Sequence, residues 1–216
     1  MTAEQIVLVG GLWLDASAWD GVVSELEGAA PVSLPVQPGA TLDDQVNAVL
    51  AVVDAASGKS VVVGHSAACS LAWIVADRRP DRVAKVVLIG GFPNADGEAY
   101  AAFFPIVDGV MAFPGWAPFE GADSADLDDA ARRAFEAAAV PVPAGVAQGV
   151  VRLTDERRYD VPVTLICPEF TPAQAREWIA AGDLPELARA KHLELVDIDS
   201  GHWPMLTRPA ELAALL

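Results

Sequence analysis

Ser66 and His202 are the two residues whose surroundings could do chemistry. The segment Val61-Val62-Val63-Gly64-His65-Ser66-Ala67-Ala68 runs from branched apolar residues straight into Gly-His-Ser and then into small residues. A serine at a sharp strand-to-helix turn presents its hydroxyl as a nucleophile. Such a turn accepts only small residues two places before and two after it, and Gly64 and Ala68 fill those places. The competing reading of Ser66 is a plain helix N-cap, its hydroxyl accepting a backbone N–H. His202 stands in Asp199-Ser200-Gly201-His202-Trp203-Pro204, after a late apolar run. An imidazole on a loop past one strand can reach a nucleophile at the end of another and take its proton. Of the other two histidines, His65 adjoins Ser66 and reads as pointing elsewhere. His192 precedes its strand, at the wrong end of a sheet. Three dispersed histidines make no metal-ligand cluster, so no metal and no cofactor are expected.

These residues need a sheet to carry them. Short runs of Val, Ile and Leu recur at residues 6–9, 61–63, 83–89, 161–166 and 193–198, with a weaker one at 31–36. Their lack of polar alternation predicts strands buried on both faces. Helical patterns between them predict crossover units and a mostly parallel sheet, hence an α/β fold. Thr41-Leu42-Asp43-Asp44 opens one helix, which runs through Val46, Val49, Leu50 and Val53. A second follows Ser66 through Leu71, Ile74 and Val75 and stops at Pro80. A short one closes the chain at 209–216. The rhythm breaks at residues 92–159, which carry Phe103, Phe104, Phe113, Trp116 and Phe119 among prolines and glycines and show no strand-like run. An acidic, alanine-rich helix is expected at 123–133. A stretch this long inside a compact domain usually carries helices of its own. The expected organisation is a core of residues 1–91 and 160–216 with a helical cap, 92–159, inserted between two strands.

Composition excludes partners more than it names them. The chain has 216 residues, 14 basic against 30 acidic ones, and a net charge of −16. A surface so acidic disfavours nucleic acid and anionic membranes. A 53% hydrophobic content supports one sizeable core. Two cysteines, Cys69 and Cys167, build no disulfide framework. With no basic, apolar leader in MTAEQIVLVGG and no spanning apolar run, a cytoplasmic location is expected.

Elbow, late Gly-His and buried strands together resemble the α/β-hydrolase fold over essentially the whole chain. Within it the sequence is most similar to the small plant-type esterase and hydroxynitrile-lyase group. The matching pieces are Val7-Leu8-Val9-Gly10-Gly11-Leu12-Trp13 with Trp19, then Gly64-His65-Ser66, Gly91-Phe92-Pro93 with Asp96, and Gly201-His202 with Thr207-Arg208-Pro209-Ala210-Glu211. The resemblance implies a flanked, mostly parallel sheet and a Ser-His-acid triad of Ser66, His202 and a carboxylate. It implies an oxyanion hole from the N–H groups of Leu12 and Ala67. Gly10-Gly11 stands where the family carries His-Gly. The family's acid register falls on Thr171, so two carboxylates compete: Glu169 on the same loop, and Asp96 after the preceding strand. Asp199 reads as a loop cap. The lyases' threonine and lysine are replaced by Gly11 and Trp203, which points away from cyanohydrin chemistry. Trp13, Phe104, Trp116 and Trp203 are expected to line an apolar pocket. The implied function is hydrolysis of small carboxylic esters or related acyl compounds. A C–C lyase, a thioesterase or a non-catalytic binding protein on the same fold are the rivals. The expected partner is a small-molecule substrate, and the sequence leaves a homodimer open.

Overall fold

The computed structural model describes residues 5–216. Six strands form one parallel sheet: β1 (Gln5–Val9), β2 (Ala29–Pro31), β3 (Ser60–His65), β4 (Val83–Ile89), β7 (Val163–Cys167) and β8 (Leu193–Asp197). Their order is β2-β1-β3-β4-β7-β8. The chain runs from β1 outward to β2 and then returns to place β3 on β1's other side. Strand order therefore reverses between β1 and β3, and the crevice beyond their C-terminal ends is where open parallel sheets hold ligands. Ser66 and Leu12 follow those two ends. β3 and β7 are buried along their whole length, as their unbroken apolar runs predict. β8 differs from the expectation of burial on both faces: at the sheet edge it exposes Glu194 and Asp197, and none of its residues is fully buried.

The weak strand expected at 31–36 lies instead at Ala29–Pro31. Pro31 and Pro35 have no N–H to give a ladder, so pairing beside β1 ends early, and an edge position tolerates the proline. Helix Leu42–Ala55 starts where a capping box holds it. Thr41 Oγ1 accepts the Asp44 N–H at 3.2 Å, and Asp44 Oδ2 accepts the Thr41 N–H at 2.9 Å. Leu42, Val46, Val49, Leu50 and Val53 turn to the sheet.

The chain leaves the sheet after Ile89 and returns at Val163. This excursion holds two features that differ from the sequence reading. A two-residue antiparallel pair, β5 (Val110–Met111) with β6 (Val142–Pro143), lies within it, too short to leave a periodic signal. The helix expected at 123–133 runs over Asp129–Ala138. Asp128 accepts the N–H groups of Ala130 and Ala131 at 3.0 and 2.8 Å, which fixes the start there. Residues Ala122–Ser124 form a separate 3₁₀ turn. The returning segment is tied down by a buried charge network. Arg158 bonds Asp77 at 3.1 Å and Glu186 at 3.0 Å, while Asp77 also accepts the N–H groups of Thr154 and Asp155. Among the described residues no helix is long and apolar enough to cross a membrane.

Candidate active site

β3 delivers Ser66 to the reversal point in a strained turn. Its φ is 55°, left-handed for a residue with a side chain. That conformation costs about 1–3 kcal/mol and persists only where the surroundings enforce it. Here the Ser66 N–H donates to Ile89 O at 2.8 Å, and Cys69 N–H donates to Ser66 O at 3.0 Å. An N-cap residue takes extended angles, so Ser66 is no cap. Helix Ala68–Arg78 begins after Ala67 with no side-chain cap at all. The turn closes by backbone contact. A Cβ on Gly64 would lie 2.3 Å from Ala68 O, and one on Gly91 2.5 Å from Ser66 O. Gly64→Ala is accordingly expected to destabilise the fold by roughly 1–3 kcal/mol. The check is a lower urea midpoint with an unchanged slope.

His202 and Glu169 meet because β7 and β8 are neighbours and their C-terminal loops lie side by side. His202 Nδ1 donates to Glu169 Oε1 at 2.8 Å. Both side chains are largely buried. Glu169 Oε2 is buried without a partner among the described residues. Gly90, at φ 58°, packs beneath the pair, where a Cβ would sit 3.2 Å from His202 Nδ1. Asp96 lies elsewhere: its Oδ1 accepts the Leu153 N–H at 2.9 Å and ties the two ends of the excursion together. Thr171 caps helix Pro172–Ala181. The Ser66 hydroxyl forms no hydrogen bond among the described residues.

His65 does not point away, as its position beside Ser66 suggested. Its Nε2 donates to the His202 carbonyl at 2.7 Å, and the two rings lie 4.9 Å apart. Burial, reinforced by the neighbouring His202, holds its pKa well below the ordinary 6.5. The unfolded chain would therefore bind a proton below about pH 6.5 that the folded chain refuses. Extra protons on the unfolded state make stability rise with pH and fall on acidification. The expected result is a Tm that drops from about pH 7 to pH 5, with a shallower slope in His65→Gln.

The excursion clamps the His202 loop from above. Asp123 O accepts the His202 N–H at 2.7 Å. The Asp126 carboxylate packs on Gly201, where a Cβ would meet Oδ1 at 2.3 Å. Burial raises the Asp123 carboxyl pKa, His202 opposes that rise, and Glu169 adds to it. No spacing in the sequence links residues 123 and 126 to 202.

On the β1 side, Gly11 packs directly on the elbow, where a Cβ would lie 2.9 Å from both Ser66 Cβ and His65 O. That approach brings the Leu12 segment beside Ser66, with Ala67 next along the chain. Trp13 is itself left-handed, at φ 64°. It is pinned from the excursion: its Nε1 donates to Met111 O at 3.2 Å, and its carbonyl accepts the Val140 N–H at 2.9 Å.

The four aromatics expected around a pocket pack mainly on one another. Trp13 meets Phe104 at 5.6 Å between centroids and Phe113 at 5.3 Å, Phe113 meets Phe135 at 5.0 Å, and Trp116 meets Trp203 at 5.4 Å. Trp203 stands edge-on to His202 at 4.8 Å. The cluster thus roofs the imidazole. Trp13 also borders an outer groove of about 300 Å³, with Ala131, Ala134, Phe135 and Leu206. Cys69 and Cys167 are buried thiols, and burial pushes Cys167 up to about 12. Neither offers a thiolate. Among the described residues no His, Cys, Asp and Glu group could hold a metal ion.

Residues 6–215 match the alpha/beta hydrolase family. The chain belongs to the α/β-hydrolase family. No curated protein matches this hydrolase in sequence. Its fold matches that of an extracellular α/β-hydrolase from a Paenibacillus species, with a TM-score of 0.76, 20% identity, and coverage of 98% of this chain and 97% of that one. That protein is described as sharing structural and functional homology with tobacco Salicylic Acid Binding Protein 2. A methylesterase from Arabidopsis gives a TM-score of 0.75 at 14% identity, covering 99% and 97% of the two chains. Methylketone synthase I from tomato, bound to 2-tridecanone, gives 0.71 at 15% identity, covering 100% and 96%. At these identities the likeness is one of fold. The α/β-hydrolase fold that the motifs resemble agrees with these matches.

Proposed function

We propose that this α/β hydrolase is a serine hydrolase of small carboxylic esters. The observation that carries the reading is the Glu169–His202 hydrogen bond at 2.8 Å, on a loop neighbouring a serine held left-handed at the sheet's reversal point. In this mechanism Ser66 Oγ attacks the ester carbonyl carbon while His202 Nε2 takes its proton. The carbonyl oxygen becomes an oxyanion facing the N–H groups of Leu12 and Ala67. A single such donor is worth about 10²–10³ in kcat elsewhere. The tetrahedral species collapses as His202 returns the proton to the departing alcohol, leaving the acyl group on Ser66. Water, deprotonated by His202, attacks the acyl carbon and releases the acid and the free serine. Glu169 holds the imidazole in the Nδ1–H tautomer and pairs with the imidazolium when it forms.

Trp203 stands beside His202 where a lyase of this group would need a cation for cyanide, and an indole carries none. The apolar roof and the net charge of −16 favour neutral, apolar acyl substrates. The test is a turnover series over p-nitrophenyl esters from acetyl to octanoyl, run against acyl-thioesters and cyanohydrins. Steady turnover of the esters, with the best rates among them, is the expected result. Faster turnover of thioesters or cyanohydrins would move the chemistry to another class. No turnover of any, with a ligand bound, would make the chain a binding protein.

A further inference from the structure

We propose that His65 is a positioning residue that fixes the catalytic imidazole and the oxyanion loop relative to Ser66, acting as an Nε2–H donor. The proposal rests on the hydrolase reading of the same site. Three elements constrain His202. Glu169, after β7, fixes its ring at Nδ1. Asp123 fixes its main-chain N–H from above. His65 fixes its carbonyl, at 2.7 Å. Of these, only His65 belongs to the strand that carries the nucleophile, one residue before Ser66. It therefore sets the distance between attacking oxygen and base, where a displacement of about 1 Å costs on the order of 100-fold in rate.

The other edge of the His65 ring faces the oxyanion loop. A Cβ on Gly11 would lie 3.0 Å from His65 Nδ1. One side chain, only 1% exposed, thus touches the loops carrying all three catalytic parts. Its chemistry suits the task. A carbonyl oxygen can only accept, so the ring nitrogen facing it, Nε2, carries the proton. Nδ1 is buried, and no acceptor among the described residues stands ready for a second N–H. The ring stays neutral, so it places no charge 4.9 Å from His202 when that ring becomes an imidazolium.

A mere space-filling role is separable from positioning by reach. His65→Leu keeps apolar bulk and loses the donor, while His65→Gln can place an amide N–H near the position of Nε2. Two readouts apply to each variant: kcat and KM on the best p-nitrophenyl ester, and the low-field proton resonance of His202 Nδ1–H, assigned by its loss in Glu169→Gln. His65→Leu is expected to lower kcat roughly 10- to 100-fold with KM little changed, and to broaden the resonance away. His65→Gln is expected to recover most of both. If His65→Leu does not fold, His65→Asn replaces it, since its amide falls short of the carbonyl and the same loss is expected. Wild-type kcat and resonance in the Leu or Asn variant would overturn the proposal, as would a Gln variant no better than Leu. A wild-type protein that turns over no ester, yet shows the resonance lost in Leu and kept in Gln, would overturn the hydrolase reading and leave the positioning role standing.

Discussion

Ser66→Ala is expected to lower ester turnover by about 10⁶-fold, the scale on which a serine hydrolase loses its nucleophile. Alanine keeps the Cβ and removes only the oxygen, so the 55° φ and its flanking backbone bonds stay as they are. The Ser66 hydroxyl makes no hydrogen bond among the described residues that the fold would miss. Stability should therefore change by no more than about 0.5 kcal/mol. Parallel measurements of kcat and urea midpoint separate the two effects. A variant that keeps its rate would show that turnover does not pass through an acyl-serine.

Glu169→Gln carries the second large effect, a fall in kcat of about 10⁴-fold with KM nearly constant. Glutamine has the same shape but can present an N–H to Nδ1, which reverses the tautomer and takes the acceptor lone pair from Nε2. The resting site adds to this. Glu169 reaches the imidazole there through Oε1. When His202 takes the serine proton, the carboxylate gains a full counter-charge 2.8 Å away. That stabilisation appears on the way to the transition state and not before, which is what lowers a barrier. Asp96→Asn supplies the contrast. Its partner is the Leu153 N–H, so kcat should stay within a few-fold of wild type, with at most a modest loss of stability. Equal kcat losses in the Asp96 and Glu169 variants would remove Glu169 from the catalytic role.

The sequence made the scaffold legible where one physical cause dominates. Residues 83–89 are apolar except for Lys85, and β4 spans Val83–Ile89. Thr41 and Asp44 form a reciprocal cap, and the helix starts at Leu42. Gly64 and Ala68 flank Ser66 because a larger side chain at Gly64 would strike Ala68 O. What stayed hidden depends on distant loops meeting. Glu169 and Asp96 could not be separated by spacing, because the contact with His202 arises from β7 and β8 being adjacent in the sheet. The helix start at Asp129 turned on a competition among several acidic residues, which Asp128 wins by holding two N–H groups. The aromatics of residues 104–135 read as core more readily than as pocket lining. Their ring centroids lie 5.0 to 5.9 Å apart, so they pack on one another. His65 was unreadable for the same reason as Glu169: its partner lies 137 residues away.

Labelling with a fluorophosphonate probe tests the central claim most directly, because it reads nucleophile activation without requiring the natural substrate. The folded protein is expected to take up one probe molecule, and peptide mass spectrometry should place the adduct on Ser66. Labelling should vanish in Ser66→Ala and slow steeply in Glu169→Gln. Folded wild-type protein that stays unlabelled, or that carries the adduct on another residue, would contradict the account.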